Sequence, residues 1–276
     1  MKKYFINLNR VPERAQFITQ EASRIGLTDY EFFPAVDAQE QDINKLSPLY
    51  TPQSWKAYWE LSPTEVAVFE SHRMLWEQCA KENNGCYLIC EDDIVLSKDL
   101  PACLLELDKH ESEFDFIRLD SAKVIYRLGK PFDLGAVVVA PILQPMASAA
   151  AYVVSPLGAR KLATQARRGF CDHVDDFITR PQKNYRAFQS IPALAIQGMF
   201  AKPDCVPKEI RKSERTSKTH DNDRVYRGPA VYRLGKEVRR VLRKLLRRVV
   251  LDRRLLKNGG SVDYIKLADD LPNYHN

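Results

Sequence analysis

The sequence predicts an α/β fold with a mainly parallel central sheet, and three observations favour it. Apolar segments of strand length alternate with segments whose apolar residues recur at helical spacing. Two of the helical segments begin with Ser-Pro, a pair that suits an N-cap followed by the first helical position. One apolar strand also runs directly into three consecutive acids. In open α/β sheets, ligands collect at the carboxyl ends of strands.

The elements follow one another along the chain in this alternation. A strand is predicted over 3–8, and a helix from Pro12 that ends at Gly26. A second strand covers 31–36. A helix then begins at Ser62, where Glu65 completes a capping box. The later elements are a strand at 86–90, a helix at 98–110, strands at 114–119, 136–140 and 151–154, and a helix that begins at Ser155.

Composition and charge divide the chain into two unlike parts. Hydrophobic residues make up 45% and charged residues 28%, which excludes wholesale disorder. Residues 231–257 hold eleven Lys or Arg and two acids, a net charge of +9, which leaves −3 for the rest. We therefore predict a body over 1–206, a flexible polar linker over 207–230, and a basic amphipathic helix and tail over 231–276. Without an apolar run long enough for a membrane span or signal peptide, a cytoplasmic location is expected.

Glu91, Asp92 and Asp93 are the strongest candidates for chemistry. Three successive carboxylates repel one another and are tolerated in solvent or beside a cation. Carboxylate oxygens suit Mg²⁺ or Mn²⁺, which would join the acids to a diphosphate. An ordinary acidic turn is the alternative, and the position after an apolar strand favours the functional interpretation.

Six blocks of the chain together resemble glycosyltransferase family 25, the lipooligosaccharide-biosynthesis glycosyltransferases. They occur in order over roughly the first two hundred residues. The blocks are 5–10 with Arg14, 33–37, 61–72 with Trp76, 87–96, 151–155 with Gly158 and Ala159, and 174–175.

The resemblance implies a GT-A type fold for residues 1–206 and an inverting transfer to a saccharide, most often from UDP-galactose. It implies a divalent metal, Mn²⁺ or Mg²⁺, at Asp93 and Glu91. The UDP-sugar donor would be bound by Asn7, Leu8, Arg10, Arg14, Glu91 and Asp92. Arginine side chains match phosphate oxygens, although Arg10 and Arg14 could also lie at a solvated helix start.

Four further residues have two interpretations each. An inverting transfer needs a base that takes the proton of the acceptor hydroxyl. Asp175 is the first candidate and Asp176 the second, with helix capping or surface charge as the alternative. His72 and Glu65 are either acceptor contacts or structural, because His72 shares an apolar helix face and the capping box explains Glu65. A metal site at His173 and Asp175 is a weaker possibility.

The basic segment 231–257 has three interpretations: an anionic membrane surface, nucleic acid, or packing on the body. Its apolar stripe and its single aromatic residue, Tyr232, favour the membrane over nucleic acid. A lipid-linked saccharide acceptor would make such docking useful at the inner face of the cytoplasmic membrane. For the whole chain, the alternatives to a glycosyltransferase are a metal-dependent nucleotidyl or phosphoryl transferase, and a non-catalytic membrane- or nucleic-acid-binding adaptor.

Overall fold

The computed structural model describes residues 1–39, 43–51, 61–170, 172–211 and 230–275. The strands are β1 (Lys2–Asn7), β2 (Glu31–Pro34), β3 (Tyr87–Glu91), β4 (Ile94–Leu96), β5 (Phe116–Arg118), β6 (Asp120–Ser121), β7 (Tyr126–Leu128), β8 (Phe132–Leu134), β9 (Val137–Pro141), β10 (Ala151–Val154), β11 (Ala187–Ser190), β12 (Ala195–Gln197) and β13 (Ser261–Asp263). The helices are α1 (Pro12–Arg24), α2 (Ile43–Leu46), α3 (Pro63–Cys79), α4 (Leu100–Lys109), α5 (Pro156–Ala166), α6 (Val174–Thr179), α7 (Lys208–Arg211), α8 (Ala230–Leu246) and α9 (Asp252–Lys257).

The central sheet has eight strands in the order β2-β1-β3-β10-β5-β11-β9-β8. Six of these strands run in one direction, and β9 and β10 run in the other. The sheet is therefore mixed, with three parallel pairings among the seven described. The sequence prediction of a mainly parallel sheet holds for the strand directions. It does not hold for the pairings between neighbouring strands. The two reversed strands each lie between strands that run in the other direction, so that four of the seven pairings are antiparallel.

Both faces of the sheet are covered by helices. Along β1, Tyr4 and Ile6 point into the core beneath α3, α5 and α6, while Phe5 points into the core beneath α1 and α4. The same alternation occurs in β3, where Ile89 and Leu88 lie in opposite cores. Burial on both faces explains why residues 4–6 of β1 and 87–90 of β3 form continuous apolar runs.

The helix starts confirm the local predictions. The Ser62 hydroxyl accepts a hydrogen bond from the backbone N–H of Glu65, and the Glu65 carboxylate accepts one from the N–H of Ser62. Ser155 caps α5 through the N–H of Gly158. A Cβ atom at position 158 would lie 1.9 Å from the carbonyl oxygen of Asp115, so only glycine lets α5 pack this closely on the sheet.

The chain returns to the body after its last helix. β13 pairs with β7, and isolated bridges join Leu267 to Ala193 and Tyr274 to Ala201. Ile265 and Leu271 are buried in the two cores. Residues 261–275 thus complete the body, a feature that the sequence analysis did not predict.

Two smaller elements bear on the predicted linker and tail. α7 lies within the predicted linker, and its Ile210 packs in the core. The linker's residues 212–229 lie outside the described residues. Residues 230–257 are helical throughout, because α8 continues through a π-helical segment, Arg247–Leu251, into α9. No helix of the described residues combines the length and hydropathy that a membrane span requires.

Candidate active site

A cavity of about 500 Å³ opens at the carboxyl ends of β1 and β3. The charged and amide residues of its lining include Arg10, Arg14, Glu91, Asp92, Asp93, Asp175 and Gln197. The apolar residues of the lining include Val36, Val68, Val174, Met199 and Phe200. The cavity is large enough for a small ligand and offers it both polar and apolar contacts.

Asp92 connects the acidic residues to the first helix. Its Oδ1 lies 2.9 Å from Nη1 of Arg14, and its Oδ2 accepts a 2.7 Å hydrogen bond from Nδ2 of Asn7. All three side chains are buried. Both carboxylate oxygens are thereby occupied, so Asp92 fixes β1, α1 and the end of β3 relative to one another.

Glu91 and Asp93 converge on one point. The Nε2 atom of Gln197 lies 3.0 Å from Glu91 Oε2, and 3.2 and 3.0 Å from the two carboxylate oxygens of Asp93. The pairing of β12 with β4 brings Gln197 here, since Gln197 is opposite Ile94 in the register. The backbone N–H of Gly198 also donates to the carbonyl oxygen of Asp93 at 2.6 Å.

The electrostatics of this cluster favour a positive charge. Burial, and next the charge of Glu91, raise the pKa of Asp93 to about 8. Burial also raises the pKa of Asp92, against the opposing effects of Arg14 and Asn7. Without a cation, Asp93 therefore holds a proton at neutral pH, and a cation placed between the carboxylates would replace that proton.

The donor chemistry fits a hard divalent cation held by Glu91 and Asp93. Carboxylate oxygens are the ligands that Mg²⁺ and Mn²⁺ prefer, and Mg²⁺ is commonly held by one or two carboxylates together with substrate phosphates. Among the described residues, three metal-ligating side chains come within 4.8 Å of one another only at Cys86, Asp108 and Glu111, which do not line the cavity. The acidic residues of the cavity thus offer two carboxylates and leave further positions for a ligand.

His72 is both a core residue and a part of the cavity lining. Its Nδ1 lies 2.9 Å from the hydroxyl of Tyr152, which also accepts a 2.8 Å hydrogen bond from Nε1 of Trp76. Because the indole can only donate, the hydroxyl proton of Tyr152 is available to His72 Nδ1. Nε2 of His72 is buried, forms no hydrogen bond with the described residues, and lies 3.6 Å from Oε1 of Glu91. The buried imidazole of His72 therefore lies next to the Glu91 carboxylate, on the core side of the cavity.

Asp175 lines the same cavity and has a fixed orientation. Its Oδ2 accepts a 3.0 Å hydrogen bond from the N–H of Ser148, and its Oδ1 accepts one of 2.8 Å from the N–H of Asp176. Ser148 in turn donates its hydroxyl to the buried Asp120, whose carboxylate lies 3.1 Å from Nε of Arg118. Ser148 has a backbone φ of +76°, a conformation that side-chain-bearing residues rarely adopt.

Other predicted residues lie at the rim or outside the cavity lining. Leu8 lines the cavity, and Arg10 lines it with its Nε 2.6 Å from Oδ2 of Asp37. Asp176 and Glu65 are not part of the lining. Glu65 forms the capping box, and its other oxygen lies 3.3 Å from Nδ1 of His173. The structure thus favours the structural interpretation of Glu65. Of the two aspartates of α6, Asp175 lines the cavity and Asp176 does not.

Sequence analysis missed Gln197 and Ser148. Gln197 is a polar residue at the end of the apolar segment 193–196, and the rule that identified Glu91 would also have identified it. Ser148 lies in the run Ala147-Ser148-Ala149-Ala150, and no local pattern indicates its positive φ.

Comparison with known proteins assigns the chain to a known family. The sequence model described as "Glycosyltransferase family 25 (LPS biosynthesis protein)" matches residues 1–178. Lipooligosaccharide biosynthesis protein lic2B of Haemophilus influenzae is 23% identical over 92% of this chain and 97% of its own length. Lacto-N-neotetraose biosynthesis glycosyltransferase LgtE of Neisseria meningitidis serogroup B is 32% identical over 47% of this chain and 48% of its own length.

A third relative shares a shorter region. A "Glycosyltransferase 25 family member" of Aedes aegypti is 36% identical over 33% of this chain and only 16% of its own length. The matches to the Aedes and Neisseria proteins thus span less than half of those relatives. The family match itself covers more than half of this chain, and it contains the acidic residues after β3 and Asp175. The chain therefore belongs to glycosyltransferase family 25.

Proposed function

We propose that this chain transfers a sugar from a nucleotide donor, most simply galactose from UDP-galactose, to a lipooligosaccharide or other saccharide acceptor. The proposal includes an inverting, metal-assisted reaction in a GT-A type fold. The observation that carries it is the convergence of Glu91 and Asp93 on one point in the cavity that also contains Arg14 and Asp175. Family membership supports sugar transfer over nucleotidyl or phosphoryl transfer, and over a non-catalytic adaptor.

The donor would lie at the carboxyl ends of β1 and β3. Glu91 and Asp93 would hold the divalent cation, which when bound neutralises the charge of the departing diphosphate. Arg10, at the rim, would contact diphosphate oxygens if its pairing with Asp37 opened. Arg14 also lines the cavity and would contact the diphosphate, while its ion pair with Asp92 supports the acidic residues.

Asp175 would be the base. The acceptor hydroxyl oxygen forms a bond to the anomeric carbon of the donor sugar, and the bond from that carbon to the diphosphate oxygen breaks. The hydroxyl proton passes to a carboxylate oxygen of Asp175, and the bonding electrons leave with the nucleoside diphosphate. Hydrogen bonds from two backbone N–H groups hold this carboxylate in place, so its orientation needs no rearrangement during the reaction.

A donor screen tests the reaction. The full chain is incubated with a panel of UDP-sugars and a saccharide acceptor, with Mn²⁺, with Mg²⁺, or with excess chelator. We expect transfer from one donor, dependent on a divalent ion and lost on substitution Asp93→Asn. Asp133→Asn is the matched control, because Asp133 is exposed on β8 and does not line the cavity. Full activity of Asp93→Asn, or full activity in chelator, would remove the metal role.

A further inference from the structure

Helix α8 presents an apolar face to solvent. Val231, Leu234 and Val238 are 84%, 68% and 50% exposed. Their spacing of three and four residues places them on one face of the helix. Further along the same helical segment, Leu246, Val250 and Leu251 are about half exposed as well. Packing of this face on the body, one of the interpretations of the sequence, is therefore not what the described residues show.

The rest of the helix is basic. Arg239, Arg240, Arg247, Arg253, Arg254 and Lys257 are exposed. Residues 231–257 carry a net charge of +9 in a segment whose first helix alone, with 17 residues, is about 25 Å long. A basic face beside an apolar face is typical of helices that lie in the plane of a membrane interface.

The segment is attached firmly to the body at its far end. The guanidinium of Arg127 contacts both carboxylate oxygens of Asp252, the first residue of α9, at 2.6 and 2.8 Å. β13 follows α9 and pairs with β7, which contains Arg127. Any surface that binds α8 would therefore be held close to the body that carries the cavity.

The charge and the composition select one kind of partner. A second copy of the chain would bring two segments of charge +9 together, and like charges at close range are destabilising. A nucleic acid would use the basic side chains but leave the exposed valines and leucines in water, and residues 231–257 contain a single aromatic residue, Tyr232. An anionic lipid bilayer satisfies both faces, because its headgroups attract the arginines and its acyl region accepts the apolar side chains.

We propose that residues 231–257 bind an anionic membrane surface and dock the body beside it. This would hold the protein at the surface of a membrane through one helical segment, and it is independent of the chemistry in the cavity. The test is flotation of the full chain with vesicles of phosphatidylcholine alone, or of phosphatidylcholine mixed with phosphatidylglycerol. We expect binding to the mixed vesicles that weakens as salt is raised, and little binding to the neutral ones.

Two pairs of variants separate the two faces of the helix. Leu234→Ser with Val238→Ser removes apolar contacts, and Arg239→Glu with Arg240→Glu reverses two charges. Each basic residue near an anionic surface contributes roughly a fivefold change in binding, so we expect the charge variant to bind at least about tenfold more weakly. We expect a similar loss for the apolar variant.

Matched controls carry the same substitutions elsewhere on the exposed surface. Leu105→Ser with Val124→Ser, and Arg168→Glu with Lys183→Glu, should bind within about twofold of the parent chain. Equal binding to neutral vesicles, no binding to anionic ones, or test variants that bind like the parent would overturn the proposal. Tighter binding to duplex DNA than to anionic vesicles would also overturn it. Transfer to a soluble acceptor should be unchanged in all four variants, so failure here leaves the proposed reaction standing.

Discussion

Individual carboxylates in the cavity differ because their surroundings differ. Asp92 is paired with Arg14 and Asn7, whereas Asp93 is buried beside Glu91 with an amide as its partner. Asp92 stabilises the architecture of the site, whereas Glu91 and Asp93, which share the amide of Gln197, are the two carboxylates that we propose as cation ligands. Asp175 is a third case, because two backbone N–H groups donate hydrogen bonds to its carboxylate.

The two aspartates of α6 should differ in their effect on catalysis. We expect Asp175→Asn to lower kcat by about 10²–10⁴-fold, because the amide cannot take the proton of the acceptor hydroxyl. Asp176→Asn should lower kcat less than about tenfold, since Asp176 does not line the cavity. Steady-state kinetics with a saturating donor measures both, and circular dichroism verifies folding. Equal losses in the two variants would contradict the assignment of Asp175 as the base.

Asp93 should make the stability of the metal-free chain fall as pH rises. An aspartate has a pKa of 3.8 in the unfolded chain, against about 8 in the folded one. Between these values the folded state binds a proton that the unfolded state does not, which lowers the free energy of unfolding by up to about 1.4 kcal/mol per pH unit. Asp93→Asn lacks this proton, so its stability relative to the parent should increase from pH 5 to about pH 8 and then level off.

Urea unfolding in the presence of chelator, at several values from pH 5 to above pH 8, measures the difference in the free energy of unfolding between Asp93→Asn and the parent chain. Asp133→Asn, on the exposed strand β8, is the control and should show no such trend. If the difference between Asp93→Asn and the parent were the same at every pH, the raised pKa of Asp93 would be refuted.

At the scale of elements, the loop between β9 and β10 determines the position of the proposed base. Three contacts hold Ser148 at its positive φ. Its hydroxyl donates to Asp120, its N–H donates to Asp175, and its carbonyl oxygen accepts a 3.2 Å hydrogen bond from Arg118. A side-chain-bearing residue in this conformation costs of order 1 kcal/mol or more, which the surrounding contacts must offset. Asp120 and Arg118 are thus positioning residues that act on Asp175 through Ser148.

Ser148→Ala should reduce both stability and turnover. Removal of the hydroxyl deprives the buried Asp120 carboxylate of a donor, so we expect a loss of about 1–3 kcal/mol in the free energy of unfolding. Because Asp175 is then less constrained, kcat should fall while the KM for the donor changes little. Ser190→Ala is a matched control, since its buried hydroxyl has no hydrogen-bond partner among the described residues. A Ser148→Ala chain with the parental kcat would show that the loop does not position the base.

At the scale of the whole molecule, the body is closed by a segment distant in sequence. Leu271 is 7% exposed and packs in the core beneath α1 and α4, whereas Leu256 on α9 is 55% exposed. Asp270 also accepts hydrogen bonds from the Ser97 hydroxyl and the Lys98 N–H at the start of α4. The stability of the body therefore depends on residues that follow the basic segment.

Leu271→Ala should destabilise the chain by about 2–5 kcal/mol, because it removes buried apolar volume and leaves a cavity. Leu256→Ala should change stability by less than about 0.5 kcal/mol, since its side chain is mostly in solvent. Thermal or urea unfolding compares the two. Equal effects of the two substitutions would mean that residues 261–275 do not contribute to the core as the structure describes.

Local signals predicted much of this fold. The apolar run at 86–90, the Ser62 capping box and the Pro12 to Gly26 helix are each encoded within a few residues, and the structure contains all three. Strand direction is not encoded locally, because a strand buried on both faces is apolar whichever way it runs. The reversal of β9 and β10 was accordingly not predicted.

The same distinction applies to the cavity. The acidic residues 91–93 can be recognised from the sequence because they directly follow the apolar run 86–90. Gln197 contributes only because β12 pairs with β4, about a hundred residues earlier in the chain. Ser148 depends on Arg118 and Asp120 in the same way. A local pattern can mark such a residue as a candidate, as the apolar segment 193–196 does for Gln197, but it does not identify the residues that it contacts.

The return of residues 261–275 to strands laid down much earlier has a consequence for biosynthesis. As the polypeptide emerges from the ribosome, β7, Ala193 and Ala201 appear long before their partners at 261–263, 267 and 274. Part of the interior of the nascent chain therefore stays uncovered until residues 261–275, which follow the basic segment, have been translated and can pair with these earlier residues.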